Sequence, residues 1–107
     1  MSWFRRKKKS DERLLGRWIV DPADTEAVAA LGQVSIEFDD RGNLNYIIIS
    51  EGKSEVALMT YRVDGITIIT DQPSHPNEQR TAYVIDEEDK LTLSFGGEPS
   101  RFIRPLV

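Results

Sequence analysis

The sequence predicts an all-β domain: an antiparallel up-and-down meander of about eight short strands, closed into a barrel, with one short helix after the first strand. Three observations carry this. From Val34 onward apolar and polar residues alternate with period two, the signature of half-buried strands. Turn residues (Asp40-Arg41-Gly42-Asn43, Asp64-Gly65, Glu87-Glu88-Asp89 and Gly96-Gly97) interrupt that pattern at short intervals, so successive strands join as hairpins. Eight strands is also about the number at which such a sheet closes, and closure removes the edges that a flat sheet would expose.

Element by element, residues 1–10 read as a disordered basic arm and residues 11–107 as the barrel domain. Ser10 and Asp11 cap a helical turn through Leu14 and Leu15, which leads into a first strand at 17–20. Asp21-Pro22 follows as a helix start, with a capping carboxylate and proline at the first helical position. The helix formers of 23–31 continue it, and Gly32 ends it. Val34, Ile36 and Phe38 point one way and Ser35, Glu37 and Asp39 the other. After the turn at 40–43 come strands at 44–50, at 56–63 beyond a turn at 51–54, and at 66–70 beyond Asp64-Gly65. Pro73 and Pro76 make 71–78 a loop. Strands at 80–86, 90–95 and 101–104 complete the count.

A length of 107 residues fits one domain, and 39% hydrophobic residues suffice for one modest core. The absence of cysteine excludes disulfides, thiol catalysis and cysteine-held metals. The single histidine excludes a multi-histidine metal site within the chain. No cofactor is expected, and no apolar run reaches the ~20 residues of a spanning helix.

Charge is placed unevenly. Arg5, Arg6, Lys7, Lys8 and Lys9 follow Trp3 and Phe4 in the arm, while the other 98 residues hold 9 basic and 18 acidic side chains. An acidic body repels phosphate backbones, so nucleic acid is disfavoured as a partner. A polar stretch follows the basic run where a secretory signal needs an apolar one, and Ser2 stands where myristoylation needs glycine. The expected location is therefore cytoplasmic. The arm has three readings besides solubility: contact with an anionic membrane surface through its charges with Trp3 and Phe4 inserted, docking to a protein partner, or nucleic-acid contact through the arm alone.

Within the domain, the inward set is Val34, Ile36, Phe38, one face of 46–49, Met59, Tyr61, Val63, Ile66, Ile68, Tyr83, Ile85, Leu91, Leu93, Phe95 and Phe102. It reads first as a filled core, which needs no ligand, and second as a pocket in which Met59, Tyr61, Tyr83 and Phe102 line an apolar cavity. The contiguous Tyr46, Ile47, Ile48 and Ile49 make both faces of one strand apolar. Either the helix covers its outer face or caps the barrel nearby, or that face is a surface for self-association or a partner.

No catalytic residue stands out. His75 sits in a proline-flanked loop with Asp71, Ser74 and Glu78 near but at no triad spacing, which reads as a solvated loop histidine. The acidic runs Asp39-Asp40 and 86–89 lack the glycine and alternation of a calcium loop and read as turns. No helix follows Gly96-Gly97, so a phosphate cradle is not expected there.

Leu15-Gly16-Arg17-Trp18 resembles the Gly-x-Trp opening of lipocalins and their small bacterial lipocalin-like relatives. The hairpin from Ile36 to Leu44, the run Lys90-Leu91-Thr92-Leu93 and the closing Phe102-Ile103-Arg104 look similar in order and spacing, over roughly residues 14–105. The resemblance implies a calyx-shaped barrel that binds a small apolar or amphipathic molecule. It also implies that an arginine of the last strand packs on the first-strand tryptophan and closes one end. Those roles would fall to Trp18 and Arg104, with Arg101 as the other candidate. The short strands imply a shallow calyx.

Overall fold

The computed structural model describes residues 11–74 and 76–105. Its eight strands each pair antiparallel with their sequence neighbours, and the last returns to the first, which closes the barrel. They are β1 (Gly16–Val20), β2 (Gln33–Phe38), β3 (Asn43–Ser50), β4 (Lys53–Asp64), β5 (Thr67–Asp71), β6 (Gln79–Ile85), β7 (Leu91–Phe95) and β8 (Glu98–Ile103). A 3-10 turn, Glu12–Leu14, precedes β1, and one short helix, α1 (Thr25–Leu31), follows it. The arm 1–10, with Trp3, Phe4 and the run Arg5, Arg6, Lys7, Lys8 and Lys9, lies outside the described residues, as does His75.

Because the strands run alternately up and down, the β2–β3, β4–β5 and β6–β7 turns gather with the 3-10 turn at one end, the closed end. The β3–β4, β5–β6 and β7–β8 connections gather at the other, the mouth.

The turns form for local reasons. The Asp39 carboxylate accepts from the Arg41 and Asn43 amides at 2.8 and 2.9 Å, and the Asp86 carboxylate accepts from Glu88 and Lys90 at 2.9 and 3.1 Å. Side chains that satisfy their own turn's amides hold the acidic runs in tight hairpins. Glu51 and Gly52 both take positive φ, +52° and +78°, the conformation of a two-residue hairpin turn. The turn expected over 51–54 therefore needs only two residues, and β4 reaches back to Lys53.

Two local expectations are corrected. Helix α1 starts three residues late, capped not by Asp21 but by Asp24, whose carboxylate accepts from Ala27 N–H and Arg101 N–H. Asp21 is pinned to β8 through its own N–H, given to the Arg101 carbonyl at 2.9 Å, and forms a preceding turn instead. Ile66, expected inward, is 71% exposed, because the β4–β5 turn falls on Gly65-Ile66 rather than Asp64-Gly65. Its carbonyl accepts from Tyr83 N–H, and its side chain points to solvent.

The core follows the period-two pattern. Ile36, Phe38, Ile68, Leu91, Leu93 and Phe102 are buried, with Trp18, Leu14 and Leu44 among them. Helix α1 lies at the β1–β8 seam and buries Ala27 there. It does not cover β3, so Ile49 on β3 and Val56 and Leu58 on β4 remain exposed on the outer face. Ile69 is the exception on that face: it points outward opposite Arg62 and Arg80, yet is buried. Both arginines pair with Glu78, at 3.1 and 3.8 Å, and their stems cover the isoleucine.

Candidate functional site

A half-open cavity of about 220 Å³ is lined by Ile36 and Phe38 of β2, Leu44 and Tyr46 of β3, Met59 of β4, Ile68 of β5, and Leu93 and Phe95 of β7. Thr70, Gln79 and Thr81 supply the polar part of the wall, all from the paired strands β5 and β6. The surface is thus apolar with one hydrogen-bonding sector, the usual composition of a small-molecule site. An apolar cavity of ~150 Å³ already holds a single aromatic ring, so this space suits one ring or a short chain.

Inward parity alone marked four side chains as lining, and the structure separates them by level. Met59 lines the cavity. Tyr61 stands behind Phe38, ring edge against ring face at 4.9 Å, and donates its hydroxyl to the Asp39 carbonyl at 2.8 Å. Phe102 is fully buried behind Phe95, with 6.4 Å between ring centroids. Tyr83 gives its hydroxyl to Asp11 at 2.7 Å, at the closed end. Four lining residues were missed. Leu44 stands beside the turn that opens β3, and Thr70, Gln79 and Thr81, with the parity of Ile68 and Tyr83, were kept off an apolar inward list by their polarity.

The closed end is built from both ends of the chain. Trp18 is fully buried and donates its indole N–H to the Leu14 carbonyl at 2.9 Å. Arg104, rather than Arg101, lies over the Trp18 ring, 3.7 Å from its centroid. The same guanidinium donates to the carbonyls of Arg13 and Leu15 at 2.7 and 2.8 Å, and Nε reaches Asp89 at 3.3 Å. Gly16 has φ +103°, and a Cβ there would stand 3.1 Å from Arg104 Nη1. The glycine of the Gly-x-Trp sequence therefore has a physical reason, since the guanidinium occupies the space over it.

Asp11 ties the 3-10 turn to β6. Its carboxylate accepts from the Arg13 amide, from Arg13 Nε and Nη2, and from Tyr83. The Arg13 hydrogen bonds, above all, hold the carboxyl down at about 2. Burial, with the Asp11 hydrogen bond second, pushes the Tyr83 phenol up to about 12. Burial likewise raises Tyr46 and Tyr61. Asp24 and Asp39 are lowered by the backbone amides that they accept from, foremost those of Arg101 and Asn43. The lowered carboxylates hold the 3-10 turn, the helix cap and the β2–β3 turn; of the shifted groups only Tyr46 lines the cavity.

Among the described residues, no three histidine, aspartate or glutamate side chains are placed to share a metal ion, and no helix is long and apolar enough to cross a membrane. No family model, curated protein or solved structure matches the chain.

Proposed function

We propose that this barrel is a binding protein that takes one small apolar or amphipathic molecule into its half-open cavity, without catalysing a reaction on it. The cavity carries the reading: about 220 Å³ of space at the mouth, eight apolar lining side chains and one polar sector. A filled barrel would leave no such space, and its core would be continuous from end to end. The resemblance of Gly16-x-Trp18 and of Arg104 to the lipocalin pattern supports the same reading, because the chain closes one end with that pair and keeps a cavity within the barrel. The ligand class follows from the lining. A single aromatic ring or a short acyl chain fits the apolar part, and one hydroxyl, amide or carboxyl group meets Thr70, Gln79 or Thr81.

Native mass spectrometry of gently purified protein, against its denatured mass, is the first test: a mass excess lost on denaturation is the expected result. A titration with p-cresol, indole and hexanoate, followed by amide NMR, is the second. Saturable shifts should centre on Met59, Thr70 and Thr81 and vanish in Leu44→Trp, which fills the cavity. A clean apo mass together with no saturable shift from any of the three probes would overturn the proposal.

A further inference from the structure

The β3–β4 hairpin outruns its neighbour on one side. β4 pairs with β3 in unbroken register from Ser50↔Lys53 to Asn43↔Thr60, but with β5 only from Thr60 to Asp64. Among the described residues, no strand pairs with the far side of 53–59. That stretch is exposed except at half-buried Ala57 and Met59.

One bond sets the direction of its backbone groups. Tyr61 N–H donates to the Gly42 carbonyl at 2.8 Å, toward β3. Along an antiparallel strand the N–H and C=O of successive residues face alternate sides. Met59, Ala57, Glu55 and Lys53 therefore also face β3, and Ser54, Val56 and Leu58 direct theirs out of the open edge. An edge of this kind is a template for another strand.

Three outward residues spaced by two and centred on Val56 are complementary to themselves. A second copy set antiparallel across a two-fold axis places Val56 opposite Val56 and Ser54 opposite Leu58. All outward N–H groups of both copies then meet carbonyls, three per chain. A register shifted by two residues satisfies only two per chain, and one such shift sets Glu55 against its own copy. In the centred register Glu55 faces Ala57, and β5 need not move. Charge permits this approach: residues 53–59 carry one Lys and one Glu, in a domain that is otherwise strongly acidic. Val56 and Leu58, 53% and 65% exposed, gain cover from Val56 and Ser54 of the second copy.

We propose that the chain associates with itself as a two-fold dimer through the 53–59 edge of β4, making one sheet continuous from the β3–β4 hairpin of one copy to that of the other. The occupant is a second copy because the edge complements itself in hydrogen bonding and side chain and carries no net charge to oppose the approach.

Amide hydrogen exchange of the full chain at two concentrations tests this. For a weak, ~0.1 mM dimer, mass action slows exchange at Ser54, Val56 and Leu58 about fourfold between ~10 μM and ~1 mM. Ala57 and Met59, bonded to β3, are expected to stay slow at both. Equal and fast exchange of the three outward amides at both concentrations overturns the proposal. Equal and slow exchange in a chain that sediments as a monomer at ~10 μM overturns it too, since another segment of the same chain would then cover the edge; the same exchange in a chain that sediments as a dimer marks a tighter dimer. Val56→Pro removes one outward N–H and none that serves β3. It should keep the circular dichroism of the barrel and sediment as a monomer at ~1 mM. A folded Val56→Pro protein that still dimerises also overturns the proposal. If that variant does not fold, the exchange result decides.

Discussion

Replacing Arg104 by alanine should destabilise the barrel by about 3 kcal/mol, although the residue lies just beyond the last strand. The guanidinium sits 3.7 Å from the centroid of a fully buried indole, while a third of the Arg104 side chain still meets water. Partial desolvation puts the ring contact near ~1 kcal/mol. The hydrogen bonds to the Arg13 and Leu15 carbonyls, at 2.7 and 2.8 Å, are charge-assisted. They contribute ~1 kcal/mol each, below the usual range for bonds to charged groups because water replaces part of each on truncation. The Asp89 pair, 57% exposed on the acid side, adds little. For a domain of this size about 3 kcal/mol corresponds to a fall in Tm of at least ~12 °C. Thermal and urea unfolding of Arg104→Ala measure it, with Arg104→Lys and Arg101→Ala alongside. Lysine keeps a charge near the ring but not the fork, so it should recover about a third of the loss. Arg101 is half exposed and reaches Asp21 only at 4.0 Å, so its truncation should stay within ~0.5 kcal/mol. If Arg104→Ala loses under ~1 kcal/mol, or no more than Arg101→Ala, then the closed end does not depend on this arginine and the reasoning is wrong.

Other consequences are equally open to measurement. Gly16→Ala puts a Cβ at positive φ and 3.1 Å from the Arg104 guanidinium; a loss of about 2 kcal/mol in urea unfolding is expected, most of it kept in an Arg104→Ala background because the backbone strain does not depend on the guanidinium. The Asp11 carboxyl, held at about 2 against an ordinary 3.8, contributes stability that is present above about pH 4 and lost as pH falls through 2. Because its partner Arg13 is 61% exposed, that contribution is discounted to about 1 kcal/mol, and the gap in urea midpoint between wild type and Asp11→Asn should narrow from pH 5 to pH 2. Tyr83 keeps its proton up to about 12, so its share of stability is complete below pH 10 and fades as pH rises through 12; ultraviolet titration should show a late phenol step that Tyr83→Phe abolishes. Tyr61→Phe removes one hydrogen bond to the Asp39 carbonyl, and chemical unfolding should register a cost of about 1 kcal/mol with the cavity unchanged.

Strand number, order and most of the inward set were legible because side-chain direction along a strand depends on parity alone. Ile36, Phe38, Ile68, Tyr83 and Leu93 are buried as their alternation requires. Parity fails where a turn shifts by one residue, as it does at Gly65-Ile66, and it does not distinguish heights along the barrel axis. That is why Tyr61, Tyr83 and Phe102 share Met59's inward direction but not its place on the cavity wall. Ile69 shows another limit: its cover comes from Arg62 and Arg80, which meet only once β4, β5 and β6 are in register.

By itself, the sequence determined the all-β class, the hairpin meander, the single short helix and the acidic turns, since each depends on residues within a few positions of one another. Tertiary structure decided what depends on distant residues meeting. Closure brought Arg104 rather than Arg101 over Trp18, 86 positions away in the chain. The short pairing of β5 with β4 left an open edge on β4, and residues of six strands met around a cavity. Helix α1 went to the β1–β8 seam, because the Arg101 amide, from the other end of the chain, supplies a donor for the second oxygen of its capping carboxylate, Asp24. Local periodicity specifies direction, and only packing specifies depth, neighbour and vacancy.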